Sequence, residues 1–316
     1  MSSANRVLFA TLLRTQRALM TLGVSRAIRT VPLAYSAYTR LYRHWAPRGQ
    51  ACVRAQGHSL FLDPQDMGMA RALLLFGGRW EETETRLFVS LLKKGMTVVD
   101  IGANLGYYTL MAARLVGPKG IVHAFEPSPE NFALLRRSVE ANGYKNVVLV
   151  PQAVSNHSGT ARLRIDRASS GGHSLSAFRG GAESIEVETV SLDDYFADRG
   201  EKVDVIKMDA EGAEMAILGG MRELLARNPE LTLLTEFFPR AIRGFGGAPE
   251  EFLSQLVQCG FRIHPIDEDR DAVESIDPAR VFELIEPLIQ EGAARDVINL
   301  LCLRGKRANQ FAEGSA

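Results

Sequence analysis

The chain has 316 residues and no net charge, and its 46% hydrophobic and 23% charged residues are ordinary for a soluble globular protein with a sizeable core. Its three distant cysteines, Cys52, Cys259 and Cys302, include no C-x-x-C pair, which excludes a zinc or disulfide framework and indicates a reducing cytoplasm. No run approaches the roughly 20 apolar residues that cross a bilayer, so a membrane-spanning protein is excluded as well.

The first 62 residues are strongly basic. They contain nine arginines and no aspartate or glutamate, which leaves 28 basic and 37 acidic residues in the remainder. This segregation suggests that the basic segment meets an anionic surface. Arginines interrupt every apolar run of the segment, which argues against a secretory signal and leaves an arginine-rich targeting sequence as an alternative.

This segment, residues 1–62, is predicted to be an amphipathic helical extension. Four leucines share one helical face: Leu8, Leu12, Leu19 and Leu22. Four amphipathic rings form a further helical stripe: Tyr35, Tyr38, Tyr42 and Trp45. Such stripes usually belong to a core, which favours packing onto the main domain. The alternative is a helix in a membrane interface, with arginine heads on lipid phosphates and the rings at headgroup level.

From about Asp63 onward, apolar strand-like runs alternate with helical patterns. The predicted strands are 97–102, 121–127, 146–154, 203–212, 231–239, 261–266 and 296–305. The predicted helices between them are 107–115, 129–142, 213–227 and about 249–259. Near-continuous apolar strands joined by helices predict a parallel sheet covered on both faces, with ligands at the carboxyl ends of the strands.

An insertion interrupts this pattern between the third and fourth predicted strands. Residues 159–165 and 184–190 alternate like strands, and the Gly/Ser-rich stretch 167–181 joins them. We predict an inserted hairpin over 159–190, whose mobile loop forms a lid over the carboxyl edge of the sheet. The main domain is predicted to span 63–305, and the polar residues 306–316 to form a disordered tail.

The stretch DIGANLG, residues 100–106, makes a glycine turn between a predicted strand and a helix. Gly102 and Gly106 let a ligand approach the backbone, and the helix N-terminus offers free N–H groups. Asn104 stands where a dinucleotide site has glycine, and the Asp100 carboxylate would repel a pyrophosphate but attract a cation. The turn therefore favours S-adenosylmethionine, a cationic methyl donor, over a nicotinamide dinucleotide.

Glu126 lies at the carboxyl end of the second predicted strand, 24 residues beyond Gly102. A carboxylate in this position can accept hydrogen bonds from both hydroxyls of a ribose. The alternative is that Glu126 only caps the helix that follows it. With the glycine turn in place, the sequence favours ribose binding.

Five motifs occur in order along the chain: VVDIGANLGYYTL, HAFEPSPENFALLRRSVEANG, AVSNHSG, SLDDYF and VDVIKMDAEGAEMAILGGM. Together they resemble the FkbM-type methyltransferases, a class I S-adenosylmethionine-dependent group, from about Trp80 to Phe238. The resemblance implies a Rossmann-like, doubly wound seven-stranded α/β sheet, mostly parallel with an antiparallel last strand. The seven predicted strands fit this fold.

The resemblance also implies which residues bind the cofactor. The methionine end is assigned to the glycine turn: Asp100, Gly102, Asn104 and Gly106. Glu126 is assigned to the ribose, the stretch Gln152–Ala153 to the adenine, and Glu81, in RWEETET, to a position facing the cofactor. Further predicted cofactor residues are Tyr108, Thr109, Pro127, Asp209, Glu211 and Glu214. For Glu211 and Glu214, capping of the following helix is the alternative.

The implied reaction is methyl transfer from sulfonium to a hydroxyl by in-line displacement, helped by a general base. Lys207 and Asp209 at the fourth strand's end, Glu236 after the fifth, and His173 in the lid are the candidate catalytic residues. His173 has the near-neutral pKa of its residue type and could descend when the lid closes. The acids could also bind Mg²⁺, but their spacing does not require a metal, and no metal ligand is predicted.

Three functions remain open at this stage, with the O-methyltransferase favoured. Its acceptor would be a small molecule, a sugar or a lipid headgroup, reached through peripheral membrane contact of residues 1–62 at the inner face of the membrane. A nucleic-acid methyltransferase is the second, although DAEG places acids where nucleic acid would approach. The third is a non-catalytic binding protein. The sequence leaves the acceptor, the base and the oligomeric state open.

Overall fold

The computed structural model describes residues 3–21, 32–167, 169–175, 183–290 and 296–308. The chain divides into two compact units. The first comprises Met1–Trp80 with Arg167–Gly171, and the second comprises Glu81–Asp166 with Gly172–Ala316. The predicted boundary after Leu62 thus falls inside the first unit, because Asp66 accepts hydrogen bonds from the backbone and hydroxyl of Ser170. Most of the predicted tail lies outside the described residues.

Within the described residues, the first unit combines three helices with a hairpin. Its elements are α1 (Ser3–Thr21), α2 (Pro32–Trp45), β1 (Ala51–Ala55), β2 (His58–Leu62) and α3 (Met69–Phe76). The helical prediction for residues 1–62 is therefore wrong for the last part of the segment. Two residues between the strands, Gln56 and Gly57, have φ values of 50° and 85°, as a tight hairpin turn requires. The β1–β2 pair is antiparallel.

The aromatic stripe of α2 packs inside this first unit. Phe9 and Tyr42 are buried, with ring centroids 5.2 Å apart, and Tyr38 and Trp45 pack beside them. The hydroxyl of Tyr38 donates a hydrogen bond to Gln16. The side chain of Tyr35, and Leu22, lie outside the described residues. No helix in the described ranges is long and apolar enough to span a membrane.

The second unit carries the other strands and helices. Its strands are β3 (Thr97–Ile101), β4 (Ile121–Phe125), β5 (Val147–Val150), β6 (Ala153–Val154), β7 (Gly159–Arg164), β8 (Ser184–Val190), β9 (Val205–Met208), β10 (Thr232–Phe237), β11 (Arg262–Asp267), β12 (Ala272–Val273) and β13 (Ile298–Leu303). Its helices are α4 (Glu82–Leu91), α5 (Tyr107–Val116), α6 (Pro129–Ala141), α7 (Leu192–Tyr195), α8 (Glu214–Gly219), α9 (Arg222–Arg227), α10 (Pro239–Gly244), α11 (Pro249–Gln258) and α12 (Glu286–Ile289).

The main sheet has the strand order β12-β11-β13-β10-β9-β3-β4-β5. Strands β5, β4, β3, β9 and β10 pair in parallel, whereas β13 runs antiparallel to both β10 and β11. The predicted α/β class is therefore confirmed, including the antiparallel last strand. The two-residue strand β12 adds an eighth strand at the edge.

Two predicted elements are shorter than expected. The third predicted strand, 146–154, ends at Val150, since Pro151 has no N–H for the ladder. Its last residues form β6, which joins the predicted hairpin in a separate sheet of order β6-β8-β7. The predicted helix 213–227 divides at Gly220, where a Cβ atom would lie 2.3 Å from the Ser155 carbonyl oxygen.

Strand periodicity places two kinds of side chain on opposite faces of the main sheet. On one face, Ile101, Ile206 and Leu233 belong to the large apolar cluster. The alternating positions point to the other face, where Asp100 on β3 is in register with Lys207 on β9. The two charged residues are 2% and 1% exposed. A buried charged layer therefore runs toward the carboxyl ends of the central strands.

Candidate functional site

The glycine turn between β3 and α5 presses against the end of β9. Gly102 has a φ of +76°, and a Cβ atom on it would lie 1.9 Å from the carbonyl oxygen of Asp209. Gly106 has a φ of +93°, and its Cβ atom would lie 2.7 Å from a methyl group of Leu135. Only glycine meets both demands here, a left-handed backbone and no room for a side chain.

Glu126 fixes this turn to the start of α6. One carboxylate oxygen accepts a hydrogen bond from the Asn104 amide at 2.8 Å, and the other accepts from the Ser128 amide at 2.9 Å. Burial raises the pKa of Glu126 to about 7, although both amides oppose the rise. The Asn131 side chain also hydrogen-bonds to this carboxylate, so one of its about four lone pairs is left for a ligand. Glu126 can therefore brace the start of α6 and also bind a ribose, whereas the sequence presented these two roles as alternatives.

Asp100 is held inside the domain. The hydroxyl of Thr109 donates to its carboxylate at 2.5 Å, and burial raises the pKa of Asp100 to about 6. Asp100 and Thr109 thereby connect β3 to α5 directly beneath the glycine turn. Asn104 has a φ of +50°, and its buried Oδ1 atom has no hydrogen-bond partner among the described residues.

A buried network lies beside Asp100 and is centred on Lys207. The Lys207 Nζ atom is 3.3 Å from the Glu84 carboxylate and 5.2 Å from the centre of the Tyr108 ring. The Tyr108 hydroxyl lies 3.1 Å from Glu84 and 3.2 Å from Glu81, and Asn299 donates to Glu84 at 2.9 Å. Burial lowers the pKa of Lys207, but the surrounding carboxylates, Glu84 first and then Asp209, Glu81 and Glu236, together raise it by more. Lys207 is therefore a charged structural centre.

Sequence reasoning missed Glu84 and Asn299. The spacing could have revealed Glu84, because it follows Glu81 by three residues and residues three apart share a helical face. Burial, followed by the charge of Glu84, raises the pKa of Glu81 well above its usual range. No local pattern marks Asn299, which comes from the antiparallel strand β13.

Three carboxylates gather at the carboxyl edge, each from a strand end or the turn after it. One ligand atom from each of Asp209, Glu211 and Glu236 lies within 4.8 Å of the others, a group that could hold a metal ion. Burial and the Asp209 and Glu211 charges raise the pKa of Glu236 well above its usual range. One Glu236 oxygen is buried and has no hydrogen-bond partner among the described residues. The edge thus favours a positively charged ligand.

Glu214 supports the turn that carries this edge. One of its oxygens accepts hydrogen bonds from the amides of Ala210 and Gly212, at 3.0 and 3.3 Å. The side chain is fully buried, which raises its pKa to about 7. This contact is the helix-start role that the sequence left open for Glu214. Glu211 has a φ of +52°, and its carbonyl oxygen accepts from the Ser174 hydroxyl at 2.6 Å.

His173, the predicted lid base, is half-buried and uses its Nδ1 atom to accept a hydrogen bond from the Asp166 amide at 3.1 Å. A neutral ring bonded in this way carries its proton on Nε2, so it can donate from Nε2 but has no nitrogen left to accept a proton. The neighbouring residue Ser174 reaches the acidic edge through Glu211. The geometry therefore favours Asp209 and Glu236 over His173 as the base.

The predicted adenine segment lies at the start of the small sheet. Gln152 donates a hydrogen bond to Glu188 at 3.0 Å, and Ala153 is buried in β6. Pro127 is half-buried between Glu126 and the start of α6. Adenine contacts by Gln152, Ala153 and Pro127 remain predictions.

The residues present fit S-adenosylmethionine. A backbone cradle at Gly102 leaves no side chain in the way, Glu126 offers carboxylate oxygens for the ribose, and Asn104 offers an unused amide oxygen. Lys207 faces more carboxylates than it can neutralise, namely Glu81, Glu84, Asp209 and Glu236. A bound ammonium or sulfonium would reduce this excess of negative charge.

Comparison with known proteins identifies a family and several relatives that this chain resembles. Residues 100–263, just over half of the chain, match the family described as the Methyltransferase FkbM domain. The 31-O-demethyl-FK506 methyltransferase FkbM of Streptomyces tacrolimicus is 33% identical over 165 residues, which cover 42% of this chain and 62% of that protein. The hexuronic acid methyltransferase AglP of Haloferax volcanii is 30% identical over 46% of this chain and 59% of its own length. The chain thus spans about three fifths of each of these two relatives.

Solved structures also align with the chain. A SAM dependent methyltransferase from Aquifex aeolicus aligns with 71% of this chain and 90% of that chain, at 19% identity and a TM-score of 0.38. The family match covers the glycine turn, Glu126 and the acidic edge. This chain therefore belongs to the FkbM methyltransferase domain family.

Proposed function

We propose that the protein is an S-adenosylmethionine-dependent O-methyltransferase that acts on a hydroxyl of a small molecule, a sugar or a lipid headgroup. The observation that carries the proposal is the excess of buried and half-buried carboxylates beside a glycine cradle. Asp209, Glu236 and Glu81 share the single positive charge of Lys207 with Glu84. Such a site suits a cationic donor and disfavours a pyrophosphate.

The names of two relatives support an oxygen-containing acceptor. One is a 31-O-demethyl-FK506 methyltransferase, and the other a hexuronic acid methyltransferase. Both names describe oxygen-rich organic acceptors rather than nucleic acid. The acids of the turn after β9 point the same way, since they would repel phosphates.

Each part of the site has a role in this reaction. Glu126 holds the ribose, and the turn around Gly102 and Asn104 holds the methionine end. The bound S-adenosylmethionine supplies the methyl group. Asp209 or Glu236 accepts the proton of the acceptor hydroxyl, and a positioned base of this kind contributes about 10²–10⁴-fold. Lys207 and Glu84 keep the end of β9 in place beneath Asp209.

Calorimetric titration of the full chain tests the cofactor. We expect S-adenosylmethionine to bind and NAD to give no heat. Gly102→Ala should abolish binding, because its Cβ atom would meet the Asp209 carbonyl oxygen. Gly143→Ala is the matched control, since Gly143 also has a positive φ, +72°, but no atom within 4 Å of the added Cβ. Absence of S-adenosylmethionine binding to the unaltered protein would defeat the proposal.

Methyl-labelled S-adenosylmethionine and a native small-molecule and lipid extract test the acceptor. We expect a labelled product that survives mild alkali as a methyl ether. Label released by alkali would indicate a carboxylate acceptor, and label in nucleic acid would favour the alternative enzyme class. No metal is required by the proposal, so turnover should survive EDTA. Loss on chelation and recovery with Mg²⁺ would instead assign the three edge carboxylates to a metal.

We also propose a cytoplasmic setting. Its support is the chain's three cysteines, which are free thiols, with Cys302 buried in β13. A reducing compartment leaves such thiols unpaired.

A further inference from the structure

The exposed apolar side chains of the described residues are concentrated in the first unit. Seven large hydrophobic residues are exposed, and four of them belong to this unit: Val7 at 64%, Leu8 at 41%, Leu41 at 44% and Phe76 at 40%. The unit contains about a quarter of the chain. Single exposed leucines need no explanation, but a cluster does.

Leu8 and Leu41 lie on one side of the α1–α2 pair. The helices are antiparallel, because Phe9 meets Tyr42 whereas Gln16, further along α1, meets Tyr38, earlier on α2. Leu8 precedes Phe9 by one residue, and Leu41 precedes Tyr42 by one residue. Moving back by one residue rotates the side chain about the helix axis by about 100°. In antiparallel helices these two turns lead to the same side of the pair.

The same side carries more apolar surface. Leu12 and Leu19, four and eleven residues after Leu8, share its helical face, and both are half-buried. Trp45, four residues after Leu41, is half-buried as well. On the opposite side, Arg17 donates to the Leu74 carbonyl oxygen of α3 at 2.8 Å. One side of the helix pair is therefore covered by α3, and the other is open and apolar.

The positive charge of the first 62 residues indicates which kind of partner this open face can bind. The first 62 residues have nine arginines and no acid. Arg14 on α1 and Arg40 on α2 are exposed and lie about 120° and 100° around their helices from Leu8 and Leu41, at the flanks of the open face. A second copy would bring the same positive charge against this one and be repelled. An anionic lipid surface instead takes the leucines into its acyl boundary and pairs the arginines with its phosphates.

We propose that the open face of the α1–α2 pair docks on an anionic membrane. The face is formed by the exposed Leu8 and Leu41, the half-buried Leu19, and the exposed parts of Leu12 and Trp45, which also pack against the Phe9–Tyr42 cluster. The helices lie in the plane of the interface, and none of them crosses it. Docking does not depend on the proposed methyltransferase activity. If that activity holds as well, docking brings the enzyme to acceptors that carry lipid.

Vesicle co-sedimentation of the full chain tests the proposal. Vesicles of phosphatidylcholine alone are compared with an equal mixture of phosphatidylcholine and phosphatidylglycerol. We expect sedimentation with the mixed vesicles only, falling with added salt. The double variant Leu8→Gln/Leu41→Gln should weaken binding by roughly tenfold or more. Its matched control is Val257→Gln/Phe282→Gln, two residues of the second unit that are 40% and 44% exposed.

A charge variant tests the second half of the proposal. Arg14→Gln/Arg40→Gln should weaken binding by roughly 25-fold, at about fivefold for each arginine. Because both arginines are exposed, this variant also serves if the leucine variant fails to fold. Unchanged sedimentation of both double variants, or equal binding to uncharged vesicles, would overturn the proposal. Loss of a dimer in the leucine variant, without any vesicle binding by the unaltered chain, would assign the face to a second copy.

Discussion

The two units of this protein handle charge in opposite ways. The second unit buries acids such as Asp100 and Glu84 beside Lys207, inside a sheet and its covering helices. The first unit is free of acids through Leu62 and exposes Arg14 and Arg40 next to apolar side chains. Buried charge is costly and needs a fixed partner or ligand, whereas exposed charge acts at a distance and is screened. The contrast suggests that the second unit is built for a small cation and the first for a wide anionic surface.

The largest expected effect is on the buried cation. Lys207→Met should lower the free energy of unfolding by about 3–5 kcal/mol, because Glu84 would lose its buried partner. Denaturation in urea measures this change. Adding Glu84→Gln should restore part of the loss. Arg14→Gln, an exposed charge of the first unit, should change the stability by less than about 0.5 kcal/mol. A similar cost for both single variants would remove the contrast between the units.

The next effect is on turnover. Asp209→Asn should reduce methyl transfer to the labelled acceptor by about 10²-fold or more, while S-adenosylmethionine still binds. Asp198→Asn, an exposed acid after α7, is the control and should leave turnover unchanged. If Asp209→Asn retains full turnover, the base is Glu236 or lies outside this edge.

A smaller loss is expected at the ribose. Glu126→Gln keeps one acceptor oxygen but removes the charge, so its hydrogen bonds to the Asn104 amide and to the ribose weaken. We expect affinity for S-adenosylmethionine to fall about tenfold, as for a hydrogen bond to a charged group. Calorimetry gives the ratio, with Glu130→Gln as the control because Glu130 is exposed on α6. Equal affinities would leave Glu126 only its bracing role.

The last prediction concerns pH. Burial raises the pKa of Glu126 and Glu214 from 4.5 to about 7, and that of Asp100 from 3.8 to about 6. The folded protein therefore holds protons that the unfolded chain has already released, so stability should fall as pH rises from about 4.5 to 7. Glu214→Gln should flatten this slope, and S-adenosylmethionine should stabilise more at pH 8 than at pH 5. Thermal unfolding across this range measures both, and a Tm that rises with pH would contradict the assignment.

Part of the candidate site could be predicted from the sequence, because the residues that mark it are close together in the chain. The glycine turn, Glu126 and the acids after β9 each stand beside a strand end, and the strands themselves follow from apolar periodicity. The parallel sheet follows from the alternation of strands and helices, whereas the strand order is known only from the structure. The roles within the site were less readable, since Glu126 accepts a hydrogen bond from the Asn104 amide, which lies 22 residues earlier in the chain.

By itself, the sequence determined the α/β class, the glycine turn and the segregation of charge, because each depends on periodicity or on residue type. Tertiary structure alone decided that Glu84 and Asn299 meet at Lys207, that the Nδ1 atom of His173 is already used, and that Leu8 and Leu41 share an open face. Each of these facts depends on contacts or exposure that no local sequence pattern fixes. Burial then sets the pKa values and the exposure, and neither quantity exists until the chain is packed.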